Sequence, residues 1–213
     1  MIHYSPVSGD PRPDAISWRR KTVFVMQQLG APVPQAVKRV RKQVEGVLSK
    51  AGYTAVDAKS TTTGRDYLLN IWNLLLGCPV GVAIVHEGIA AATMANIYYE
   101  LGMLQSYGRE TVVVKIGTPS LPSDFARTQY IQAGRGFDTR FKSFVDSLEE
   151  RKDYYLKVGA GVEHDPLLAI DYLRRAALLG GKSDLNRRAR TLLNDSGIGP
   201  RGKHSVEELL LTF

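Results

Sequence analysis

Three short apolar runs leave this chain few folds to adopt: Val23-Phe24-Val25-Met26, the stretch 80–85 (Val-Gly-Val-Ala-Ile-Val) and Val112-Val113-Val114 within 111–116. A strand wetted on one face alternates polar and apolar residues. An uninterrupted run therefore belongs to a strand covered on both sides, as in parallel sheets whose crossover connections are helices. Between the runs, apolar residues recur at helical spacing: Val37, Val40, Val44, Val47 and Leu48 before Gly52, then Tyr67, Leu68, Ile71, Trp72 and Leu75, then Ile97, Leu101 and Leu104. Phe137, Phe141, Phe144, Val145 and Leu148 form a further stripe, predicting a helix over 137–155. With 53–58 and 130–132 as additional strands, the alternation over 22–157 implies βαβ units. The predicted fold is a flavodoxin-like open parallel sheet of about five strands with helices on both faces, whose ligand crevice lies at the carboxyl ends of the strands.

The flanking segments read differently. Residues 1–21, with Pro6, Pro11 and Pro13, show no sustained periodicity and form either an arm that orders on contact or a loose lead-in. After Gly159-Ala160-Gly161, read as a hinge, residues 158–195 predict a helical hairpin, with helices over 166–179 and 184–194 split by Gly180-Gly181. Through Ala169, Tyr172, Leu173, Ala176, Ala177 and Gly180 the hairpin resembles one Sel1-type or tetratricopeptide-type repeat. A lone repeat cannot cover its own apolar face, so it should pack on the main domain or on another chain. The tail 196–213 ends in apolar residues, and either folds back on its own domain or docks on a partner.

Composition narrows the function classes. No apolar run approaches the roughly 20 residues needed to span a bilayer, and the first 21 residues lack a signal-peptide core, so a cytoplasmic protein with no membrane contact is expected. The single cysteine, Cys78, cannot form an internal disulfide, and the four histidines show no metal-ligand spacing. The formal charge of +7 raises the question of nucleic acid. Its distribution argues against that: Lys38, Arg39, Arg41 and Lys42 lie on one helix and Arg174, Arg175, Arg187, Arg188 and Arg190 in the hairpin, with no single aromatic-laced stripe. Solvated faces, or attraction of a small anion, account better for these charges.

The segment Asn96-Ile97-Tyr98-Tyr99-Glu100-Leu101-Gly102 follows the most apolar strand, where open α/β sheets hold ligands. At 100° per residue, Ile97, Leu101 and Leu104 share the buried face and Glu100 sits at its border. Read as starting a helix after the small-residue loop 90–93, the segment puts Glu100 near a helix N-terminus. Burial would then raise its pKa while the helix dipole stabilised its charge. An acidic residue that merely favours a first helical turn fits the same pattern. Asp66, three residues after Thr63, fits a capping box for the helix beginning near Tyr67.

This segment, with Leu104, Gly108 and the strand 111–116, resembles the N-x-x-x-E-L-G motif of bacterial nucleotide-binding TIR-like domains and of the related nucleoside 2-deoxyribosyltransferases. The order of elements over 22–150 is similar, and Leu121-Pro122-Ser123-Asp124 adds to it. The resemblance implies that Glu100 is catalytic at an N-glycosidic bond. A carboxylate there stabilises or captures the oxocarbenium ion formed at ribose C1′. The implied activity is cleavage of NAD, by hydrolysis or by cyclisation of ADP-ribose, in bacterial antiphage defence or signalling. NAD is then the substrate and no cofactor is expected. A non-catalytic sensor of a nucleotide-derived signal and a nucleoside 2-deoxyribosyltransferase are the alternatives.

Other site residues are expected from topology, at the carboxyl edge of the sheet: Gln27 and Gln28 after the first strand, Asp57 and Ser60 after the second, His86 and Glu87 after the third. Asp, Glu or Gln would accept from ribose hydroxyls, and Arg65 would meet a pyrophosphate. Asn96 and Tyr99 complete the candidate substrate-binding set. Tyr98, Tyr99 and Trp72 suit either stacking on a base or core packing. Members of these families commonly assemble, so a homo-oligomer, or a partner protein held by the hairpin or tail, is expected. No G-x-G-x-x-G follows the first strand and no P-loop occurs, which counts against a dehydrogenase or a nucleoside triphosphatase.

Overall fold

A computed structural model describes residues 3–4, 11–12, 16–61, 67–120, 122, 125, 129–162, 165–180, 185–194, 197–200, 202–204 and 206–207. The chain divides into two compact units, residues 21–146 and residues 1–20 with 147–213. The boundary falls within a helix.

The 21–146 unit is an open α/β sheet. Its strands are β3 (Thr22–Met26), β4 (Thr54–Val56), β5 (Val80–His86), β6 (Glu110–Ile116) and β7 (Tyr130–Gln132), numbered after two short N-terminal strands taken up below. They are all parallel and lie in the order β4-β3-β5-β6-β7. This is the flavodoxin-like order read from the apolar runs. The connections are α1 (Gln35–Lys50), a 3-10 turn (Ala58–Thr61), α2 (Tyr67–Gly77) and α3 (Ala91–Ser106). Residues 62–66, with the proposed Thr63/Asp66 capping box, lie outside the described residues. Among the described residues no helix is long and apolar enough to cross a membrane.

All seven residues of β5 are buried, as its continuous apolar run requires. Phe24, Met26, Ala83, Val85 and Val113 face one way, into a core with Leu74 and Leu75 of α2 and Ile97, Leu101 and Leu104 of α3. Strand alternation turns Val23, Val25, Val82, Ile84, Val112 and Val114 to the opposite face, and α1 buries Val37, Val40, Val44 and Leu48. Position 81 sets how closely α3 approaches. A Cβ there would stand 2.3 Å from Leu104 Cδ1 and 3.1 Å from Met26 Cε, so a side chain at this position would make Leu104 shift from its place against the sheet.

Three boundaries differ from the sequence reading. Strand β4 is shorter than 53–58, because its pairing with β3 ends at Phe24↔Val56 and Asp57 then accepts from Lys59 N–H (3.0 Å) to start the 3-10 turn. Helix α3 starts at Ala91 rather than near Asn96. Its N-cap is Ala90, with no side-chain cap, so no capping residue marks the start. The helix begun at Phe137 is α4 (Phe137–Gly161); it continues through Gly159-Ala160-Gly161, which is therefore helical and not a hinge.

In the other unit, β1 (His3–Tyr4) and β2 (Pro11–Arg12) pair antiparallel, giving the N-terminal arm a short ordered element. Arg20 donates to the carbonyls of Ala177 (3.2 Å) and Gly180 (3.1 Å), and Arg174 lies over the Trp18 ring at 4.9 Å. The hairpin consists of α5 (Pro166–Leu178) and α6 (Leu185–Asn194). Asp165 caps α5 by accepting from Leu168 N–H at 3.2 Å, and Pro166 occupies the first turn, where its missing N–H is no loss. Ile198 and Val206 from the tail join Ile170, Leu173, Ala177, Ala189 and Leu192 in one buried cluster. The tail thus folds back as far as Val206, and residues 208–213 lie outside the described ones.

Two glycines test this packing. Gly81→Ala should destabilise the protein by about 1–3 kcal/mol through overpacking, measured by denaturant unfolding. Adding Leu104→Ala should then cost less than it does in the wild type. Gly46→Ala, on the exposed side of α1 with nothing within 4 Å of the added methyl, should instead stabilise by roughly 0.5–1 kcal/mol.

Candidate functional site

The strand order reverses between β3 and β5: the chain leaves β3 outward to β4, then returns past it to β5. The loops at the carboxyl ends of these neighbours run apart, and the gap between them is where such sheets place ligands. A crevice of about 230 Å³ occupies that gap. It is lined by Phe24, Val25 and Met26 of β3, by Gln27, Leu29 and Gly30 of the segment that follows, by Ala58 and Ile71, and by Thr93, Asn96, Ile97 and Glu100 of α3.

Thr93, Asn96 and Glu100 recur at intervals of three and four residues, so α3 presents them along one stripe. Glu100 is only partly exposed, at the border of the face buried through Ile97, Leu101 and Leu104. Its pKa is pushed up to about 7 by desolvation. Among the described residues no hydrogen bond or ion pair reaches its carboxylate. The favourable helix-dipole contribution expected from the sequence is absent. Glu100 is the tenth residue of α3, beyond the first turn in which the dipole acts. Burial therefore acts unopposed, and near neutral pH the carboxyl stands between its neutral and charged forms.

The lining includes a second acceptor that is unsatisfied among the described residues. Gln27 Oε1 is buried without a hydrogen-bond partner. A buried acceptor left unpaired costs about 1–3 kcal/mol.

The remaining candidates take other positions. Gln28 donates from Nε2 to the carbonyls of Gly30 and Pro32 (both 3.1 Å), which turns its Oε1 toward His86 Nε2 at 2.8 Å. His86 is buried, and its Nδ1 lies 2.6 Å from the Glu87 carbonyl. Both ring nitrogens thus face acceptors, and Gln28 and His86 together brace the loop that carries Gln27. The Glu87 carboxylate accepts from the Thr118 hydroxyl and backbone N–H, which hold its pKa below the usual carboxylate value. Gly117 permits this contact: it has φ +73°, and a Cβ would press on the Glu87 carboxylate at under 3 Å. Asp57 pairs with Arg41 at 3.6 Å besides starting the 3-10 turn. Ser60 belongs to that turn, and Arg65 lies outside the described residues.

Tyr99 is 59% exposed and does not line the crevice. Trp72 and Tyr98 are core residues, Tyr98 stacking on Phe125 at 4.8 Å. Of the candidates, the crevice therefore brings together Gln27, Asn96 and Glu100. It adds Thr93, Leu29 and Gly30, which pattern reading missed. Thr93 was detectable from its seven-residue spacing to Glu100, once α3 is known to start at Ala91.

The raised pKa has a thermodynamic signature apart from catalysis. A carboxyl near 7 in the folded state and 4.5 as the reference value favours folding below pH 4.5, and that contribution is lost as pH rises through 7. Glu100→Gln removes the ionisation. The stability of the variant relative to wild type should therefore rise by roughly 2–3 kcal/mol between pH 5 and pH 8, followed by denaturant unfolding at each pH.

No protein-family model matches the chain, and no match is found among curated proteins.

Proposed function

We propose that this protein is a TIR-like enzyme that cleaves the N-glycosidic bond of NAD at the β3/β5 crevice, with Glu100 as its catalytic residue. The observation that carries this reading is the placement of one desolvated, unpaired carboxylate in the crevice at the sheet's switch point. Gln27, which lines the crevice with it, supports it, since a side-chain amide suits the hydroxyl groups of a ribose. At about 230 Å³ the crevice is smaller than the roughly 300–1,000 Å³ that enclose whole drug-sized ligands, and suits the ribosyl-nicotinamide end of the dinucleotide.

The chemistry asks little of the protein. The bond from C1′ to the pyridinium nitrogen breaks with its electron pair going to nitrogen, so nicotinamide leaves neutral and needs no general acid. Positive charge grows on C1′ and the ring oxygen, and an ionised Glu100 stabilises it more strongly in a partly desolvated site than in water. Water then adds to C1′ and gives up its proton, with Glu100 in place to accept it, yielding ADP-ribose. A nucleophilic nitrogen of the adenine would give a cyclic product in its place. Assembly into oligomers, and a role in defence or signalling, belong to the same proposal.

Incubation of concentrated protein with NAD, read by mass spectrometry, tests it. Wild type should release nicotinamide with ADP-ribose or its cyclic form, and Glu100→Gln should lose roughly a hundredfold or more while still folding. Because the working form is the carboxylate, the rate should climb with pH through about 7 and level off above it. Undiminished activity in Glu100→Gln rejects the assignment. Saturable thermal stabilisation by NAD with no product assigns the crevice to sensing, and base exchange on a deoxynucleoside assigns it to transfer.

A further inference from the structure

Helix α1 has a second face that the crevice does not use. Its five cations divide into two groups. Arg41 turns to Glu45 (2.6 Å) and Asp57, while Lys38, Arg39, Lys42 and Lys50 are exposed and make no ion pair among the described residues. At 100° per residue these four fall within an arc of about 120°, opposite the buried face of Val37, Val40, Val44 and Leu48. They line one shallow groove. The middle of the arc is Gly46, which has no side chain and nothing within 4 Å of where one would be, so the helix backbone is open there to close approach. The one acidic residue in the groove, Asp138, already accepts from Gln43 Nε2 at 3.0 Å.

The gathering of Lys38, Arg39 and Lys42 with Lys50 in one groove outweighs the sequence expectation of merely solvated faces, and we infer that this groove binds the phosphate backbone of a nucleic-acid duplex. Charge complementarity carries the choice of occupant. Four uncompensated cations extend over about 18 Å of helix, from Lys38 to Lys50 at about 1.5 Å per residue, on a chain whose net charge is +7. A duplex presents about one phosphate charge every 1.7 Å along its axis, so several phosphates meet the row at once. The lining has no aromatic residue on which unpaired bases could stack, which disfavours single strands. It also has no exposed large apolar side chain to enter a lipid surface. Binding of this kind reads backbone charge and not sequence.

The test uses the whole protein and fluorescein-labelled 20-base-pair DNA and RNA duplexes, with affinity measured by anisotropy from 50 to 200 mM salt. Wild type should bind one or both duplexes, with log K falling linearly against log salt. Lys38→Glu/Lys42→Glu should weaken binding at least tenfold and flatten the slope by about two, at roughly 0.9 for each phosphate no longer neutralised. Lys38→Gln/Lys42→Gln, a milder change at exposed sites, should shift both in the same direction. Lys157→Glu/Arg190→Glu imposes the same change of net charge on the other compact unit and should leave the slope intact. The inference is overturned by equal loss in that control pair or by no duplex binding at 50 mM salt. It is also overturned if vesicles containing phosphatidylserine bind through Lys38 and Lys42 while duplexes do not. None of these readouts depends on Glu100, so the result stands apart from the fate of the NAD reading.

Discussion

The fold rests on the complete burial of β5. A central strand with no wetted face needs helices on both sides of the sheet, and parallel neighbours need crossover connections long enough to supply them. From that requirement come the two apolar faces and the strand order in which the chain reverses beside β5. The crevice is a consequence of the reversal, since adjacent strands whose connections depart in opposite directions leave a gap at their carboxyl ends. Gly81 then sets the depth of one wall, because Leu104 occupies the space its side chain would take and α3 packs close to the sheet.

The same burial shapes the electrostatics of the site. Around the crevice most polar side chains are satisfied: Gln28 with His86 and two carbonyls, Glu87 with Thr118, and Asp57 with Arg41 and the start of the 3-10 turn. These contacts brace loops. Among the crevice lining, Glu100 and Gln27 Oε1 have no partner among the described residues. A partly desolvated carboxylate without a partner weakens a fold, and its place in a concave site at the switch point is what a ligand bringing a donor or a positive charge would relieve.

In the other unit, the helical hairpin buries apolar residues together with the tail. A two-helix unit cannot enclose its own apolar face. Ile198 and Val206 supply part of that cover, while Arg20 from the N-terminal segment donates to carbonyls at the end of α5.

By itself, the sequence determined the fold class and the position of nearly every strand and helix, because uninterrupted apolar runs and helical stripes follow directly from which faces must be buried. It also singled out Glu100, whose place beside Ile97, Leu101 and Leu104 follows from helical periodicity alone. Only the tertiary structure decided where α3 begins, since Ala90 offers no capping side chain to read, and hence that Glu100 lies beyond reach of the helix dipole. It alone separated Gln27, Asn96 and Glu100, which share the crevice, from Gln28, His86, Glu87 and Asp57, which brace the loops around it. The physical reason is that a strand's carboxyl end brings several polar residues to the same edge. Which of them faces the gap depends on partners far along the chain, such as Thr118 for Glu87 and Arg41 for Asp57, and local pattern does not encode those pairings.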